Sequence, residues 1–172
     1  MRPLTLAALV VSFLASSTLG DEPKKVNYGE ESAGGNGGRE FSGPLLPDDA
    51  IITAIQVNSG RNLDGIKISY RTADGKSHTV QYGAVGGDLQ KAVTSDAGVH
   101  LIGISGRAAD RVDAIRFHFS DGTMSELFGG NGGKEFKLMV PEKNGRYVGH
   151  IVGFKGKFGR VIDNISIVYT VD

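Results

Sequence analysis

The sequence predicts an all-β fold. Runs rich in β-branched and aromatic residues recur along the chain, turn signals separate them, and no stretch carries a convincing helical pattern. Glycine supplies the punctuation: 26 glycines against 5 prolines fall in clusters between these runs rather than as a flexible linker. A repeat close to 50 residues then divides the chain into similar β units.

Taken in order, Met1-Arg2, an apolar run from Leu4 to Leu14 and small residues from Ala15 to Gly20 read as a secretory signal, residues 1–20, cut after Gly20. A run of roughly 11 residues is too short to span a bilayer, so no transmembrane segment is expected. The exported chain, about 152 residues, is long enough for one domain with its own core. Residues 21–32 are polar and read as a loose leader, and residues 33–172 as the domain. Strand character follows at 51–57, 66–70, 79–82, 99–105, 114–119, 136–140, 150–154 and 165–171. Asp74-Gly75, Asp121-Gly122 and Asn144-Gly145 mark turns between them.

The repeat shows twice over. Leu63-Asp64, Val112-Asp113 and Ile162-Asp163 each open a strand, 49 and 50 residues apart. Glycine clusters ending at Gly38, Gly87 and Gly133 keep step, and Gly34-Gly35-Asn36-Gly37-Gly38-Arg39-Glu40-Phe41 returns as Gly129-Gly130-Asn131-Gly132-Gly133-Lys134-Glu135-Phe136. Three units are too few for a propeller. Three antiparallel sheets around a pseudo-threefold axis fit better, with the N-terminal strand completing the last unit.

The charge and residue inventory narrows function. Nineteen basic against nineteen acidic residues give no basic field for nucleic acid. With no cysteine, an exported fold must hold by packing and sheet hydrogen bonds. His78, His100, His118 and His150 have no metal-ligand spacing, so neither a metal nor another cofactor is expected. A glycosidase needs two carboxylates about 5–10 Å apart. The loop aspartates fall one per unit, so no catalytic pair is read and an enzyme is not expected. The sequon Asn164-Ile165-Ser166 sits on a strand beside Asp163, a poor place for glycosylation.

Gly159-Arg160-Val161-Ile162-Asp163 carries the chemistry. Glycine bares loop N–H groups, and a carboxylate four residues on accepts from two neighbouring hydroxyls, the pattern a sugar presents. Gly-x-x-x-Asp alone is a weak signal in so glycine-rich a chain. With the opening glycine cluster and the threefold repeat, residues 33–171 resemble the jacalin-related lectins. The resemblance implies a β-prism of three four-stranded sheets and metal-independent glycan binding at one end. It implies that Gly38 N–H and the backbone N–H groups of Arg160 and Val161 donate to a sugar, with Gly159 forming the turn and Asp163 accepting twice. A second pocket is implied from Gly60, Arg61, Asn62, Asp64 and Gly87. The middle unit departs: Gly106-Arg107 is shifted by three residues and Ala109 stands where Gly60 and Gly159 do, so a third pocket at Asp110, Asp113 and Gly133 is left open.

The galactose-binding branch gains a free amino-terminal glycine by cleavage at the first glycine cluster, and no processing site is evident here. Mannose or glucose is therefore the implied sugar, carried by glycans or glycoproteins, with a homodimer as one route to avidity. Each aspartate loop also begins Gly-Arg, and Arg39, Lys134, Lys155 and Lys157 lie in or near the loops. This supports an alternative: binding of anionic polysaccharides, or a granule-matrix role, through a basic surface at the same end.

Overall fold

The computed structural model describes residues 25–90, 93–94 and 98–171; residues 1–20, expected to be a signal, lie outside the described residues. In chain order the strands are β1 (Lys25–Tyr28), β2 (Ala33–Gly34), β3 (Arg39–Ser42), β4 (Ile51–Ser59), β5 (Leu63–Arg71), β6 (Ser77–Gly83) and β7 (Asp88–Leu89). Then come β8 (Leu101–Ala108), β9 (Val112–Phe119), β10 (Phe128–Gly129), β11 (Lys134–Met139), β12 (Glu142–Lys143), β13 (Arg146–Tyr147), β14 (Ile151–Phe158) and β15 (Ile162–Val171). No helix occurs among the described residues.

Three antiparallel sheets result. One runs β1-β15-β14-β3 with β2 also on β15, a second β6-β5-β4-β7, and a third β10-β9-β8-β11. The amino-terminal segment thus completes the sheet begun by the last two strands. A short hairpin, β12 with β13, turns at Asn144 and Gly145, both with positive φ. Asn and Gly are the residues that adopt that conformation at least cost.

Residues 21–32 were expected to form a loose leader; over the described part, 25–32, the structure differs. Lys25–Tyr28 pairs along its whole length with Val168–Val171. Beyond it, Ser166 donates its hydroxyl to the carbonyls of Gly29 (3.2 Å) and Glu31 (2.6 Å). An uncovered β15 edge would present unpaired backbone groups, and this polar segment satisfies them.

The inward faces of the three sheets make one core. The period is strand-like: in β9, Ile115, Phe117 and Phe119 are buried while Arg116 and His118 are half-buried. Ile55 and Ile66 from the second sheet, Ile104 from the third and Phe154 and Ile165 from the first are all fully buried. Each such side chain contributes roughly 1.5–3 kcal/mol by leaving water. Phe154 meets Tyr82 edge-on at 5.2 Å, joining the first sheet to the second. Tyr82 donates its hydroxyl to the Pro44 carbonyl at 2.7 Å, so the buried polar tip is satisfied.

Candidate functional site

Each sheet turns its central hairpin in the same way at the same end. A three-residue loop joins β4 to β5 (60–62), β8 to β9 (109–111) and β14 to β15 (159–161). A backbone bond closes each: Gly60 N–H to Asn62 O (3.0 Å), Ala109 N–H to Arg111 O (2.9 Å) and Gly159 N–H to Val161 O (3.0 Å). A register shift precedes each loop, between Asn58 and Ser59, Arg107 and Ala108, and Lys157 and Phe158. Such a bulge re-aims the strand end.

A glycine cluster is bonded to the start of each following strand. Gly35 N–H donates to Asp163 O (2.8 Å), Ala84 N–H to Asp64 O (2.9 Å) and Gly130 N–H to Asp113 O (2.9 Å). Each cluster ends on a left-handed glycine, Gly38 (φ 74°), Gly87 (φ 76°) and Gly133 (φ 66°). A Cβ at Gly38 would stand 2.5 Å from Asp163 Oδ2 and 2.5 Å from the Phe158 carbonyl carbon. One at Gly87 would collide with Asp64 Oδ2, and one at Gly133 would lie 2.6 Å from Asp113 Oδ2. Only glycine lets these carboxylates lie against bare backbone.

Gly38, Gly159, Arg160, Val161 and Asp163 line one concavity of about 680 Å³, and Asp64, Gly86, Gly87 and Arg111 line it too. Asp163 is 8% exposed, and Arg111 Nε stands 3.7 Å from its Oδ1. Burial, and then the charge of Asp88, push the Asp64 carboxyl above its usual range. Gly60, Arg61 and Asn62 are absent from the lining. Instead Asn62 Nδ2 donates to Asp113 Oδ1 at 2.8 Å, and Gly130 packs on the Arg61 backbone.

The expected gathering of basic residues is corrected in part. Gly106-Arg107 lies within β8, and Arg107 bonds the carbonyls of Gly132 (2.9 Å) and Gly133 (2.8 Å). Arg39 covers the Phe158 ring at 4.6 Å and Lys155 the Tyr28 ring at 5.2 Å. Of the cations, Arg160 and Arg111 line the concavity. Sequence reasoning missed Arg111. Its signal was the position matching Asn62 and Val161 in the loop alignment. That its side chain reaches the next unit follows only from closure of the prism. Among the described residues no group of three or more His, Asp or Glu could hold a metal ion.

Solved structures share the architecture. A banana lectin is 22% identical, with a TM-score of 0.66 over 87% of this chain and 99% of that one. Artocarpin in complex with mannopentose is 18% identical, with a TM-score of 0.67 over 87% and 99%. A mannose-specific jacalin-related lectin from Morus nigra, in complex with mannose, is 20% identical, with a TM-score of 0.66 over 91% and 100%. At these identities the likeness speaks to the fold. No curated protein matches the chain in sequence. The profile of the jacalin-like lectin domain matches residues 30–168. The chain therefore belongs to the jacalin-like lectin domain family, a β-prism that binds carbohydrate rather than an enzyme.

Proposed function

We propose that the protein is an exported, metal-independent lectin for mannose- or glucose-type glycans. The carrying observation is the buried Asp163 carboxylate held against Gly38, with the Gly159-Arg160-Val161 turn on the same concavity. The carboxylate accepts from two vicinal sugar hydroxyls, and N–H groups of Gly38, Arg160 and Val161 donate to others. Asp64 and Gly87 offer a second acceptor set on the same concavity. The mannose complexes of artocarpin and the Morus nigra lectin favour that sugar class. Export rests on residues 1–20.

A shallow pocket of this kind binds one monosaccharide near millimolar, about −4 kcal/mol. Two acceptor sets on one concavity, or a homodimer, would strengthen binding of branched glycans by avidity. Calorimetry with methyl α-mannoside tests the assignment. Asp163→Ala should remove one site and leave the far-UV circular dichroism unchanged; undiminished binding in that variant would refute the assignment.

Arg111 and Arg160 on the concavity favour a second reading, in which anionic glycans are engaged, in solution or in a granule matrix. Retention on a heparin column should then fall as salt rises to about 0.15 M, where charges are screened beyond roughly 8 Å. Retention insensitive to salt contradicts it.

A further inference from the structure

The three aspartate loops place their third residue, Asn62, Arg111 or Val161, at the boundary with the neighbouring sheet, and the three side chains differ in kind. Asn62 crosses to Asp113, 51 residues away in sequence, with a part-buried 2.8 Å bond to Oδ1. Arg111 crosses to Asp163, but at 3.7 Å and 59% exposed. Val161 lines the concavity it shares with Asp64 and brings no polar side-chain atom. An amide N–H donating to a carboxylate oxygen does what a sugar hydroxyl would do there. At 3.7 Å Arg111 makes no hydrogen bond to the carboxylate, and its largely exposed side chain can swing aside for a ligand.

We infer that the middle unit holds a third pyranose pocket at Asp113, Gly132 and Gly133, kept filled by the chain's own Asn62. The inference rests on reading Asp163 and Asp64 as sugar acceptors. The rest of that pocket is built. Gly130 N–H is tied to Asp113 O, Gly133 has the same left-handed backbone as Gly38 and Gly87, and the 109–111 turn closes as its counterparts do. Ala109, in the position of Gly159, is exposed and leaves the turn intact. Arg107 occupies the carbonyls of Gly132 and Gly133 and leaves their N–H groups free to donate.

The test follows backbone amide shifts in the full domain on adding methyl α-mannoside. In the unaltered protein the Gly38 and Gly87 amides should move and that of Gly133 should not. In Asn62→Val, which copies the residue at Val161, Gly133 should move as well; Asn62→Ala serves the same purpose should the branched residue disturb the turn. Movement of Gly133 in the unaltered protein overturns the inference. So does a still Gly133 in both variants when Gly38 and Gly87 respond. Silence of Gly38 and Gly87 in the unaltered protein instead overturns the lectin reading, and this inference with it.

Discussion

Asp64 links stability to the binding role proposed for it. Burial and the neighbouring Asp88 raise its pKa, so the folded state holds this proton more tightly than the unfolded chain does. The ionised carboxylate therefore weighs against folding at neutral pH, and the penalty fades as the pH falls through the raised value toward 3.8. Asp64→Asn should raise the Tm at pH 7, with the gap to the unaltered protein closing in acid; calorimetric scans across pH check this. The same substitution replaces one of two acceptor oxygens with a donor, so sugar-induced movement of the Gly87 amide should shrink. In the unaltered protein that movement should begin to fade in acid at a pH above 3.8, because only the ionised form accepts twice.

Among the elements, the turns at the loop end depend most on residue type. Gly38 has φ 74°, where a residue with a Cβ costs about 1–2 kcal/mol in backbone conformation alone. Its new methyl would also press on the Phe158 carbonyl and on Asp163 Oδ2. Gly38→Ala should therefore lower the urea midpoint and abolish mannose binding at Asp163 together. Loss of stability with binding intact would mean that the carboxylate and this backbone are not one site. The pairing of Gly38 with Asp163 was legible only through the resemblance to the jacalin-related lectins, which the glycine clusters and aspartate strands repeating in step helped to carry. Strand β1 could not be read from the sequence, since Lys25-Val26-Asn27-Tyr28 carries no long alternation and gains its order from the edge of β15. Nor could the destination of Asn62, whose side chain leaves its own unit for the next. Nothing in a local pattern records which neighbour the closed prism puts beside it.

At the scale of the molecule, one core shared by three sheets makes their stabilities interdependent. Phe154, fully buried and edge-on to Tyr82 of the second sheet, is a fitting probe. Phe154→Ala should cost about 3–5 kcal/mol, read as a shift of the denaturation midpoint in a single transition. Two separated transitions would show that the sheets unfold independently. The first sheet also joins residues far apart in sequence: β3 lies on β14, and Gly35 is bonded to Asp163. Asp64 and Gly87, by contrast, meet within a single short stretch of chain. Contacts between distant segments wait on the closure of large loops. A polypeptide leaving the ribosome therefore cannot make the Asp163 set until β15 has emerged, and the concavity beside Asp64 also waits for Arg160 and Val161. With one core common to all three sheets, the sugar-binding capacity proposed above would arrive only with the closing strand.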